Sequence, residues 1–242
     1  MRRKEDEKAT MNDAVATTGR YHESHVEAVV KPLLRGYLHL GAAILAVIGT
    51  IALVVLAAGD PPKQATLAIY GLSSIWLFGM SALYHIGSWE ARREKLLRRL
   101  DHANIFILIA GTYTPIAYNV MTGWWRIGIL VTVWGLALAG VCAAAPRLSL
   151  PRWVMVALYL LTGWVALAAI PEIAHNLGIG AILTLVLGGV LYTLGALAYA
   201  FKRPNPWRRV FGYHEVFHLC TIAANAFFFA FMVIYVAPFT RL

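Results

Sequence analysis

Seven apolar runs, each about 20 residues long, follow one another from Leu33 to the end of the chain, separated by short polar breaks. A helical run of that length crosses a hydrocarbon layer of roughly 30 Å. The spans fall at about 36–58, 64–87, 103–121, 124–145, 152–171, 180–201 and 215–237. The breaks "GDPPKQ", "PRLSLPR", "PEIAHNLG" and "KRPNPWRR" carry turn chemistry. A membrane β-barrel needs apolar and polar residues in alternation, and these runs do not alternate. The chain is 60% hydrophobic and only 14% charged, too apolar for a soluble domain of this size to hide. These features predict an all-α membrane protein, a seven-transmembrane helix bundle over residues 31–242. Residues 1–30 are polar, lack the apolar core of a signal peptide, and read as a mostly disordered cytoplasmic tail.

A net charge of +9 raises nucleic acid as a partner, but the distribution of the charge points to topology instead. Arg2, Arg3, Lys4, Lys8, Arg20, Lys31 and Arg35 precede or open span one. Arg92, Arg93, Lys95, Arg98 and Arg99 follow span two, Arg147 and Arg152 follow span four, and Lys202, Arg203, Arg208 and Arg209 follow span six. The opposite side carries only Lys63, Arg126 and Arg241. This bias places the N-terminus in the cytoplasm and the C-terminus outside, as expected of a multi-pass protein of the inner (plasma) membrane. Anionic lipid headgroups, not nucleic acid, are then the partner of the basic breaks. Cys142 and Cys220 both lie in apolar stretches and read as small buried hydrophobes, not as a disulfide framework.

Ionisable groups inside a membrane are costly, so each one calls for a reason. With the spans oriented as above, Ser81 and His85 lie near the cytoplasmic end of span two, Asp101 opens span three, and His214 and His218 open span seven. Five polar residues from three helices thus share one membrane depth. His214 and His218 are four residues apart, which stacks them on one helix face about 6 Å apart along the axis. Ser81 and His85, in "SALYH", have the same spacing. Three neutral imidazoles plus water form a common open zinc site, in which the metal makes water acidic enough to react near neutral pH. Asp101 would orient that water or act as general base, with Ser81 as a second hydrogen-bonding group.

"SALYH", "RRLDHANIFILIAGTYTPIA" and "HEVFHLC", preceded by "KPLLRGYLHLGAAIL", resemble the hemolysin III proteins, the bacterial branch of the progestin and adipoQ receptor family. The resemblance runs over roughly residues 31–240, with the segments in order. It implies seven helices and a zinc ion near the cytoplasmic face. In that pattern His85, His214 and His218 are the metal ligands, and Asp101 and Ser81 contact the metal's water. The family is similar to alkaline ceramidases, which implies zinc-dependent hydrolysis of a lipid amide or ester. Three other functions stand beside it: a non-enzymatic membrane sensor or homeostasis protein with structural zinc, a cytolysin, and an intramembrane metalloprotease. No span carries the charged stripe of a pore.

The protease reading comes from "HEVFH", in which Glu215 completes a zinc-peptidase pattern. Arg208 and Arg209 beside it make a headgroup-level ion pair a sufficient account of Glu215. His102 reads as interfacial, His39 as a helix-packing hydrogen-bonder, and Asn225 as a bond across helices. "GTYTP" reads as a kink in span three that Tyr113, Thr114 and Pro115 create and repair. His175 and Glu172 fall on the outer side, far from the cluster.

The charge asymmetry predicts that alkaline phosphatase fused to the C-terminus is active and that green fluorescent protein fused there is dark. A fluorescent, phosphatase-negative pair of fusions reverses the topology and moves the polar cluster to the outer leaflet.

Overall fold

The computed structural model describes residues 34–144, 150–207 and 210–241. The polar segment 1–30 lies outside them. The described residues form helices α1 (Leu34–Leu56), α2 (Pro61–Ile86), α3 (Ala91–Val120), α4 (Gly123–Ala143), α5 (Arg152–Gly163), α6 (Ile170–Leu177), α7 (Ile179–Phe201) and α8 (Tyr213–Phe231). A 3-10 segment, Trp164–Ala169, joins α5 to α6, and α8 ends in a π-helical turn, Met232–Val236. No strand occurs among the described residues.

Six stretches are long and apolar enough to cross a membrane: α1, α2, α4, α7, the continuous Arg152–Leu177 and Tyr213–Val236. Helix α3 is not among them, because Asn104, Thr112, Thr114, Pro115 and Asn119 dilute its apolar character. All five are buried in the bundle, so α3 has little need of a lipid-compatible surface. Helix α2 is likewise internal, with 56% of its apolar window buried against 17% for α1. The outer faces of α1, α4 and α7 expose Leu45, Ile48, Val55, Val131, Leu138, Leu183 and Leu194. So broad an apolar surface suits a hydrocarbon solvent and would aggregate in water.

Several boundaries differ from the sequence expectation. Helix α3 begins three turns before the apolar part of its span, so the basic break after span two is largely helical and Asp101 lies inside a helix. "PEIAHNLG" is not a loop: its first seven residues complete α6, and the chain turns at Gly178, whose φ of +79° favours glycine. The "GDPPKQ" break is the start of α2, where the Asp60 side chain accepts from Lys63 N–H at 3.1 Å with proline in the first turn. Cys142 and Cys220 are both unpaired, and Cys142 is exposed on α4 instead of buried.

Close helix contacts rest on small residues. Gly71 of α2 lies against Thr50 of α1, and Gly111 of α3 against Ser73 of α2, so neither glycine leaves room for a side chain. Several polar side chains inside the bundle pair across helices. Tyr70 Oη donates to Asn225 Oδ1 at 3.1 Å, which makes Asn225 the cross-helix bond expected of it. Asn119 Nδ2 donates to Thr66 Oγ1 at 2.9 Å, and Arg241 joins Asn119 and Asp60 at the far end.

"GTYTP" behaves differently from its reading. Helix α3 runs unbroken through Pro115, and Thr114 Oγ1 donates to Ala110 O at 2.8 Å. Tyr113 does not repair α3. Its hydroxyl donates to Gly163 O and accepts from Ala166 N–H, both at 2.6 Å, bridging the 3-10 break of the fifth span. Tyr113→Phe leaves both backbone groups unsatisfied in a buried setting. It should lower unfolding stability by about 1–3 kcal/mol in a detergent denaturation assay. An unchanged midpoint removes the hydroxyl as the repair of that break.

Candidate metal centre

The three sequence-predicted histidines meet at one end of the bundle. His85 is in the last turn of α2, and His214 and His218 occupy the first two turns of α8. One ring nitrogen of each lies within 4.8 Å of those of the others, forming a group that could hold a metal ion. The Nε2 atoms of His85 and His214 are 3.3 Å apart and face the same small volume. The i,i+4 spacing does what helix geometry requires: the His214 and His218 ring centroids are 4.6 Å apart.

Hydrogen bonding selects one tautomer at His218. Its Nδ1 lies 2.8 Å from Arg35 O. A carbonyl only accepts, so Nδ1 carries the hydrogen and Nε2 keeps its lone pair. Metal-ligating histidines are oriented in this way. Asp101 Oδ2 lies 3.9 Å from His85 Nε2, so α3 brings its carboxylate to the cluster. Ser81, one turn before His85, is 1% exposed. It lies close enough to interact with Asp101, yet its Oγ makes no full hydrogen bond among the described residues. A buried hydroxyl of this kind beside three imidazoles and a carboxylate suits a hydrated metal. The donor set therefore fits a metal ion with three nitrogen ligands.

Beside the cluster is a cavity of about 30 Å³ lined by Ser81, Asp101, His102, Tyr199, His214 and His218 among others. It adjoins a larger one of about 120 Å³ running between α2, α3, the fifth span, α7 and α8. Leu77, Ile105, Tyr159, Ala196, Phe217 and Thr221 line both. The larger cavity's walls are otherwise mostly leucine, isoleucine, valine and aromatic side chains, with Thr112 and Thr193 among the rest.

Glu215 departs from its sequence reading. It is in an ion pair, as read, but it is fully buried and its partner is Arg35. Its Oε1 accepts from Arg35 Nε at 2.6 Å, and its Oε2 accepts from Gly212 N–H at 2.8 Å at the start of α8. Desolvation excludes an unpaired carboxylate there, and among the described residues the cation that pairs with it comes from α1. Arg208 and Arg209 lie outside the described residues. His39 also differs: neither ring nitrogen makes a full hydrogen bond among the described residues, and the ring stacks on His218 at 3.7 Å between centroids. His102 lines the smaller cavity, its Nε2 3.3 Å from Tyr199 Oη. From sequence Arg35 counted only as a topology charge and His39 only as a helix-packing hydrogen-bonder, and neither was placed at the cluster. Their own i,i+4 spacing at the start of an apolar span was the signal that could have found them.

Helices fit for a bilayer, enclosing a histidine cluster at one end, define a multipass membrane protein with a candidate metal centre. Residues 27–229 match the family described as Haemolysin-III related, and the chain belongs to it. It is 30% identical over 200 residues to Hemolysin-3 of Bacillus cereus, a match covering 81% of this chain and 87% of that one. To the Hemolysin-3 homolog of Bacillus subtilis (strain 168) it is 28% identical over 196 residues, covering 79% and 88%. Heptahelical transmembrane protein 4 of Arabidopsis thaliana is 29% identical over 177 residues, covering 64% of this chain and 44% of the plant protein.

Protein purified in detergent after growth with transition metals should carry about one metal ion per chain by elemental analysis. His85→Ala, His214→Ala and His218→Ala each remove one of the three candidate ligands and should each abolish most of that content. Thermal stability should fall with it, since an ion held there would join α2 to α8 in the folded state only. Full metal content in all three variants would reduce the cluster to a packing feature.

Proposed function

We propose that this chain is a zinc-dependent hydrolase of lipid amides or esters. In this reading it spans the plasma membrane seven times with its N-terminus in the cytoplasm, and His85, His214 and His218 hold the ion near the cytoplasmic face. The observation that carries it is the junction of the polar cluster with the apolar cavity. An acyl chain seated in that cavity leaves its carbonyl at the polar end, beside Asp101 and Ser81. Three imidazole donors suit zinc better than magnesium or calcium, which favour oxygen.

When bound, zinc supplies a Lewis acid that polarises a carbonyl and acidifies water. Asp101 then serves as the general base, taking the proton of the attacking water and returning it to the departing amine or alcohol. Ser81 holds that water in line through its otherwise unsatisfied hydroxyl. The Arg35 carbonyl keeps the His218 Nε2 directed at the centre. The surrounding helices exclude bulk water from the reacting carbonyl. An intramembrane protease would need Glu215 on the water, and both Glu215 oxygens are engaged elsewhere.

The test incubates purified protein with ceramide-type amides and with lipid esters, and measures released fatty acid. Release should require zinc and stop on chelation. Asp101→Asn should retain most of the metal while turnover falls about 10²–10⁴-fold, and Ser81→Ala should retain metal with a smaller loss. Metal binding without fatty-acid release from any of these lipids leaves zinc as a staple of a sensor and rejects the hydrolase. Loss of metal in Asp101→Asn as complete as in His218→Ala makes the aspartate a ligand and overturns its assigned role.

A further inference from the structure

Helix α1 supplies none of the proposed ligands, yet one of its residues holds α8 twice. The Arg35 side chain pairs with Glu215 at 2.6 Å, and the Arg35 carbonyl accepts from His218 Nδ1 at 2.8 Å. Glu215 and His218 are three residues apart, on adjacent turns of one face of α8. Glu215 also closes the first turn of its own helix through Gly212 N–H. One turn further along α1, the His39 ring lies flat on the His218 ring, 13° from parallel. The His218 imidazole is thus fixed along its edge by a carbonyl and across its face by a second ring.

We propose that Arg35 and Glu215 form a positioning clamp for the metal centre, setting the tautomer and direction of His218 from a helix that contributes no ligand. This rests on the reading of His85, His214 and His218 as ligands. The physical logic is that a carbonyl cannot be aimed by its own residue alone. The first turn of α1 must be anchored to α8, and an ion pair whose carboxylate is fully buried is a directional anchor. Removing Arg35 leaves that buried carboxylate alone, so the helices shift to admit water and the carbonyl moves with them; removing the Glu215 charge frees the partly exposed Arg35 side chain to swing toward solvent. His39 extends the clamp by excluding water from the open face of the ring. Neither Arg35 nor Glu215 touches the reacting atoms, so both act through His218.

The test loads the metal-free full chain in detergent with Co²⁺, and reads affinity by chelator competition and ligand geometry by visible absorption. Wild type should bind with the absorption of a low-coordinate nitrogen site. Glu215→Gln and Arg35→Met should each weaken Co²⁺ binding roughly 10–100-fold, the usual cost of losing an outer-shell partner, with altered absorption at saturation. Arg35→Lys keeps a cation beside Glu215 and should recover part of the affinity. The double variant Arg35→Met/Glu215→Gln should be no weaker than either single one, because both changes break one interaction. Wild-type affinity and absorption in Glu215→Gln overturn the clamp, as does full additivity in the double variant. Should a single variant fail to fold, Arg35→Lys decides: wild-type values support a charge anchor, and a loss as large as that of His218→Ala overturns positioning. If wild type itself takes up no Co²⁺, the ligand reading fails separately. The clamp is then read from ¹⁵N NMR of His218: a single Nδ1–H tautomer in wild type that becomes mixed in Glu215→Gln supports it, and an unchanged tautomer overturns it.

Discussion

Hydrocarbon offers no hydrogen bonds, so polar groups within this bundle must turn inward, to partners in the protein or to an enclosed site. That requirement makes every described span a helix and governs which helices sit inside. Helices α2 and α3 carry most of the buried serines, threonines and asparagines among the described residues, and they occupy the centre, where partners from several directions are available. Helices α1, α4 and α7 are apolar almost all round and form the lipid-facing shell. The 3-10 break in the fifth span is tolerated because Tyr113 reaches across from α3 to satisfy the backbone groups it frees.

The same requirement explains the two ends of the molecule. At one end Asp60, Asn119 and Arg241 form a connected polar group, and Lys63 donates to the carbonyls of Ala237 and Phe239. These contacts tie the last residues of the chain across α2 and α3. At the other end Arg35, Glu215 and the histidines form a second polar group. The second adjoins an apolar cavity, which makes it a candidate reaction centre rather than a helix fastening. The Bacillus relatives extend over nearly their full length along this chain, so the whole bundle, not one motif, carries the family relationship.

Glu215 shows how a motif can mislead. Its place between two metal-type histidines gives it the look of a peptidase base. A glutamate next to the first histidine of an i,i+4 pair is turned about 100° from that histidine and about 60° from the second, so it flanks the face they share. In this bundle that direction leads to α1 and Arg35, not to the cluster. The chemistry available to a residue is thus set by what packs on its side of the helix, and a pattern along one helix carries no information about that.

Six of the apolar spans and the polar cluster were legible in the sequence, because helix length and 3.6-residue periodicity are local properties. So were His85, His214 and His218 as a group: the orientation of successive spans brings both ends of the group to one depth. What the sequence could not decide was which side chain meets which across helices. Helix rotation and tilt determine the burial of Glu215 by Arg35, the stacking of His39 on His218, the bridging role of Tyr113 and the joining of two cavities along Leu77 and Phe217. These follow from packing among residues as many as 183 positions apart in the chain, and only the assembled bundle contains that information.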